Sequence, residues 1–98
     1  MPETSIGEFP RALYEYHREQ DYPPEARRMG IEGKVVLRVG LDRRGTIRSV
    51  RVIKKAGYGF DEVATAALWK FKFSPARTRD GTAVDFLITY QYTFRQGQ

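Results

Sequence analysis

His17 is the one imidazole of this chain, and there is no cysteine. Without a thiol there is no thiolate nucleophile, no zinc–cysteine cluster and no disulfide framework. Catalysis by a hydroxyl needs a base held beside it, and His17 stands in a stretch that reads as surface. Asp61 and Glu62 form an adjacent carboxylate pair. Neighbours in sequence diverge on a helix, so the two supply charge at a helix start rather than acid–base chemistry. Gly57-Tyr58-Gly59 is a lone G-x-G without the rest of a phosphate-binding fingerprint. No spacing of His, Asp and Glu matches a metal site. The expectation is a protein that is not an enzyme, with no catalytic residue, metal or cofactor.

What remains is charge and aromatic rings. A net charge of +5 and a pI of about 9.7 suit an acidic partner, and describe a solvated basic surface equally well. Arg43, Arg44, Arg48, Arg51, Lys54 and Lys55 cluster on one hairpin, with Tyr90 and Tyr92 as candidate platforms for stacking bases. Those tyrosines alternate in register with Phe86 and Ile88, an apolar row that belongs to a core, so nucleic acid is not the expected partner. The 98 residues, 41% hydrophobic and 13% aromatic, fit one folded domain. No run approaches the ~18 apolar residues of a membrane span, and no signal-peptide pattern opens the chain. That leaves a cytoplasmic protein or a soluble piece of something longer.

The elements that would position these groups centre on Phe60–Ala76. Apolar side chains at Phe60, Val63, Ala64, Ala67, Leu68 and Phe71 mark one face of a helix of about three turns. Pro75 stops it, and Phe71 and Phe73 switch the period to alternating. Trp69 points away from the core face. Before this helix, Asp21 is placed to cap a short helix over Pro23–Met29, with Gly30 as its terminator. A strand follows with Val35, Leu37, Val39 and Leu41 on one face, then a turn, Asp42-Arg43-Arg44-Gly45. In the returning strand, Thr46–Lys54, residues Ile47, Val50 and Val52 share a face only if a β-bulge lies near Arg48-Ser49. Ala83–Phe94 is the longest regular alternation. Residues 9–20 read as a short helix or an extended arm, and the lack of Gly or Pro after Arg11 favours the helix.

Helix, strand, strand, helix, strand is an α+β fold. A hairpin makes the first two strands antiparallel. The crossover helix then sends the third to the far side of the first, giving a three-stranded antiparallel-type sheet of order 2-1-3 with two helices packed on one face. The expected core holds Leu37, Val39, Ile47, Val50, Phe60, Ala64, Ala67, Leu68, Phe71, Phe86 and Ile88. The last strand is then a long edge without proline or lysine, which must be guarded or used.

Tyr22-Pro23, Ala26-Arg27, Gly30-Ile31-Glu32-Gly33, the VVLRVGLD strand, Gly45, Val50-Arg51-Val52-Ile53, Phe60-Asp61, Ala64, Ala67 and Phe71–Ala76 stand in the order seen in the C-terminal domain of TonB family energy transducers. The chain resembles that family from Tyr22 to Phe94. It departs at Phe71, where tryptophan is usual, and at Lys55-Ala56, where paired serines are common.

The resemblance implies the periplasmic domain of an inner-membrane-anchored protein, with residues 1–21 a flexible or partly helical linker end and 22–98 the TonB-like domain. It implies an ion-driven inner-membrane motor acting through a missing N-terminal part, Met1 being only an expression start. It also implies an outer-membrane transporter, or another envelope protein, whose short peptide adds to the last strand by β-augmentation. Partner-binding residues are then Leu87, Thr89, Gln91 and Thr93 on that strand, with Glu19, Gln20, Asp21 and Tyr22 beside it. Glu19 stands where family members often carry a contact Gln, which implies a taste for a basic peptide side chain. Trp69 is either folded over the helix end or an exposed anchor. A strand-exchanged homodimer stays open, as does a link or self-association module in another motility or secretion machine. A small basic nucleic-acid-binding domain is the third reading.

Overall fold

The computed structural model describes residues 5–96. Its centre is a sheet of three strands, β3 (Gly33–Leu41), β4 (Ile47–Lys54) and β8 (Phe86–Phe94), in the order β4-β3-β8 with both pairings antiparallel. The α+β class stands, and this sheet has the expected order. It is not the whole architecture, because two further sheets are built around it. β2 (Ala12–Tyr14) pairs with β5 (Lys72–Phe73), while β1 (Ile6–Glu8), β6 (Ala76–Thr78) and β7 (Ala83–Val84) form a third sheet.

The helices α1 (Pro24–Met29) and α2 (Phe60–Leu68) share one core with the inner face of β3, where Val35, Leu37 and Val39 are fully buried beside Phe60, Ala64 and Leu68. Of the expected core, Ile47, Val50 and Ile88 are partly buried and packed against it; Phe86 is also partly buried. The Phe60 ring packs directly on Gly33, where any Cβ would strike it. Asp61 turns out to do more than charge a helix start. Its carboxylate accepts the backbone N–H groups of Ala56 at 2.8 Å and Gly57 at 3.1 Å, fixing the loop that leads into α2.

Several boundaries differ from expectation. α1 begins at Pro24 behind Pro23, without a side-chain cap, and Asp21 sits instead in a 3-10 turn over Glu19–Asp21. α2 ends at Leu68 because its last turn tightens: the N–H groups of Lys70 and Phe71 reach back three residues to Ala67 and Leu68. The bulge near Arg48-Ser49 is present, since Gly40 pairs with Ser49 and Leu41 with Ile47, leaving Arg48 over. A second bulge leaves over Ile53, which is 46% exposed. The last strand is broken at Asp85, because Ala83 and Val84 leave the main sheet to pair with Arg77 and Ala76.

The arm is extended rather than helical. Its backbone finds partners at the short edges of β5 and β6: Ser74 N–H donates to the Arg11 carbonyl at 2.9 Å, and Arg11 N–H donates to Ser74 Oγ at 2.8 Å. The hairpin turn also leans on this region. Gly45 has φ +81, and a Cβ there would collide with the Phe73 carbonyl oxygen.

Phe71 is 3% exposed between helix end and sheet. Phe71→Ala should cost about 3–5 kcal/mol in urea unfolding, the loss of a buried ring plus the cavity it leaves. A cost under about 1 kcal/mol would contradict this packing.

Candidate partner-binding edge

β8 alternates between two environments. Phe86, Ile88 and Tyr90 are partly buried and Tyr92 and Phe94 buried on the side of the helices, while Leu87, Thr89 and Gln91 are exposed and Thr93 partly so on the other. Apolar and aromatic residues at period two leave the sheet one choice of face. The inner row is pinned by rings: Phe94 stands 4.6 Å from Phe60, Tyr92 4.9 Å from Phe94, and Tyr90 meets Phe71 edge-on at 5.1 Å.

On its β3 side, β8 runs in unbroken register from Gly33↔Phe94 to Leu41↔Phe86. On its other side no strand pairs with it among the described residues. Alternate residues of an antiparallel strand turn both N–H and C=O away from their partner, so β8 offers a row of unpaired backbone groups. The opposite edge, β4, is different. Its two bulges break the row, and Arg48, Arg51 and Lys54 project along it. β8 carries no charge, proline or bulge.

The arm comes to the C-terminal end of this edge. Tyr92 Oη donates to the Tyr16 carbonyl at 3.0 Å, and the His17 ring stacks on Tyr92 at 4.7 Å and meets Phe71 edge-on at 5.6 Å. His17 Nε2 donates to Glu15 Oε1 at 3.1 Å. The Lys70 ammonium lies 4.5 Å over the Tyr16 ring. Together His17, Arg18, Tyr22, Tyr92, Thr93, Phe94 and Arg95 line a cleft of about 240 Å³. Burial pushes the Tyr92 hydroxyl up to about 12, helped by the nearby charge of Asp21.

The arm residues named from sequence divide. Tyr22 is buried: its ring meets Phe60 and Phe94 edge-on, and its hydroxyl donates to the Ile31 carbonyl while accepting from Gln96 Nε2 at 3.1 Å. Gln20 is exposed on the turn. Asp21 lines a second groove, with Tyr16, Glu62, Val63 and Lys70 beside α2. The Glu19 side chain lies outside the described residues. Reading the sequence missed His17 and Arg18 as neighbours of Thr93. The one cue was the period-two spacing of Ala12, Tyr14 and Tyr16, which marks an extended arm. Trp69, at the C-cap of α2, is 49% exposed rather than folded away.

The other end of β8 opens into a cleft of about 500 Å³ lined by Gly40, Leu41, Asp42, Arg48, Asp85, Phe86 and Leu87. Desolvation raises the Asp42 carboxyl, but the N–H groups of Arg44 and Thr46 and the Arg48 guanidinium outweigh it and hold the group below its ordinary value.

A sequence model of the Gram-negative bacterial TonB protein C-terminal matches residues 18–95. The chain belongs to that family. It is 26% identical over 88 residues to Protein TonB of Escherichia coli (strain K12), a match covering 89% of this chain and 36% of that protein. The chain thus spans about a third of the length of this curated TonB relative. The matched region takes in the whole main sheet, both helices and all of β8, so the free edge belongs to the TonB-type part of the chain.

Two measurements check this geometry. In an ultraviolet titration of the six tyrosines, one phenol should ionise near pH 12, and Tyr92→Phe should remove that step. Because the folded value lies above that of an unfolded tyrosine, about 10, stability should hold below that pH and fall as pH rises toward the folded value. Trp69 fluorescence should be quenched by iodide in the free domain; a blue-shifted, protected emission would contradict its exposure.

Proposed function

We propose that this TonB-type energy-transducer module grips its partner by adding one extended peptide to the outer edge of β8. The observation that carries this reading is the contrast between the two edges of one sheet: β4 is bulged and charged, β8 long, regular and bare. A bare edge of nine residues invites pairing. Backbone hydrogen bonds then supply most of the affinity, and Leu87, Thr89, Gln91 and Thr93 supply selectivity from the exposed face. Gln20, at the turn before Tyr22, is the second contact. Glu19 belongs to the same turn, and the buried Tyr22 holds that turn in place.

Family membership supports the wider setting. The peptide belongs to an outer-membrane transporter, the domain works in the periplasm, and the pull comes from an inner-membrane motor through chain N-terminal to this piece. On this reading residues 22–98 are the gripping domain, residues 1–21 the end of the linker, and the module performs no catalysis. Trp69 offers an additional apolar anchor at the far end of α2.

Amide shifts on titrating peptides from candidate outer-membrane transporters should cluster on Leu87–Thr93. Single side-chain changes along that stretch should weaken binding only modestly. Prolines placed one at a time at Thr89, Tyr90 and Gln91 separate the two sets of amides. The outward set should abolish binding with the fold kept, and the inward set should break the ladder to β3. Shifts confined to the basic hairpin Arg43–Lys55 would overturn edge addition.

A further inference from the structure

The three strands of the main sheet carry Lys34, Arg38, Arg48, Arg51 and Lys54, and not one aspartate or glutamate. Arg48 is taken up by Asp42 in the turn, at 3.1 Å. The other four lie on the face away from the helices, because Val35, Leu37 and Val39 occupy the inner one. Cross-strand register puts Arg38 opposite Arg51 on one side and opposite Thr89 on the other. Like charges directly opposite each other repel. No carboxylate pairs with either arginine among the described residues, and Arg38 Nε is buried without a hydrogen-bond partner. Two arginines opposite each other in the ladder, one with a donor unspent, describe half of an anion site.

A strand added to β8 completes the row. Neighbouring strands lie about 4.8 Å apart, so a peptide residue opposite Thr89 stands about 10 Å from Arg38 on the same face. Thr89 is short, so an extended carboxylate opposite it has the reach to meet an extended guanidinium across it. The neighbouring rows lack this: Leu87 faces Gly40 and Ser49, Gln91 faces Val36 and Lys54, and Thr93 faces Lys34 alone. Strand direction does not alter the row. We infer that Arg38 is a specificity-determining residue of the edge, selecting a peptide with an acidic side chain opposite Thr89, with Arg51 reinforcing it. The inference rests on the edge reading above. A planar fork can hold a carboxylate by two hydrogen bonds, which an ammonium cannot.

The test uses acetylated, amidated peptides of β8's own length, alternating valine and threonine, with Glu, Gln or Lys at each position in turn. They are titrated into the isotope-labelled domain at low salt. At one position Glu should bind about tenfold tighter than Gln, with Lys weakest. Arg38→Gln should bring Glu and Gln within about twofold of each other, while Lys34→Gln leaves the tenfold preference in place. Arg38→Lys, which keeps the charge and removes the fork, should leave a preference of about threefold. If β8 amides shift but Glu and Gln bind alike at every position, Arg38 has no such role. A full preference that survives Arg38→Gln or Arg38→Lys overturns it as well. If no peptide shifts the β8 amides, edge addition fails, and this inference with it.

Discussion

Phe60 can lie on the sheet only because residue 33 has no side chain, and most of the fold hangs on that contact. The ring at the start of α2 reaches the first residue of β3, and Gly33 is itself paired with Phe94 at the end of β8. Phe94 and Tyr22 then close around the same ring. One contact therefore ties together the helix, the central strand, the edge strand and the segment that enters the domain. Aromatic rings bury large areas and prefer tilted or edge-on contacts, so such a cluster is both cohesive and particular about orientation. A methyl group at position 33 would push the helix start outward and loosen all four segments together.

From this junction the aromatic packing continues along β8, through Tyr92 and Phe71 to Tyr90. The inner face of the edge strand is thereby rigid while its outer backbone stays unpaired. A floppy edge would lose conformational entropy on pairing, whereas an edge already fixed by its other face has little left to lose. The arm adds to the same end. Tyr16 is held by a carbonyl bond from Tyr92 and by the Lys70 ammonium over its ring, so the segment that enters the domain is fastened where β8 finishes.

Long elements were legible in the sequence because their period has room to repeat. The alternation of Phe86 to Phe94 and the helical spacing from Phe60 to Leu68 gave both faces correctly. The bulge at Arg48 was readable because Ile47, Val50 and Val52 cannot otherwise share a side; the bulge at Ile53 was not, since no apolar partner beyond it is thrown out of phase. Strands of two or three residues carry no period at all. β1, β2, β5 and β6 exist through pairings between distant parts of the chain, as between Arg11 and Ser74, and local spacing is blind to those. β7 closes a hairpin with β6 and, at two residues, is too short to show a period of its own. For the candidate site, the outer row of β8 was visible in the alternation. The side chains before Pro23 were not: a 3-10 turn sends Asp21 toward α2, and Tyr22 turns inward to the aromatic cluster.

The unequal edges of the main sheet also set its valence. A sheet with two clean edges can pass pairing from molecule to molecule and grow without limit, as filaments do. Here the bulges and cations of β4 interrupt its row, so the sheet can be lengthened on one side alone. Two copies meeting edge to edge through β8 would close on each other with their β4 edges outside. Only bulged, charged edges would then be left outside, so self-pairing of this chain ends at two.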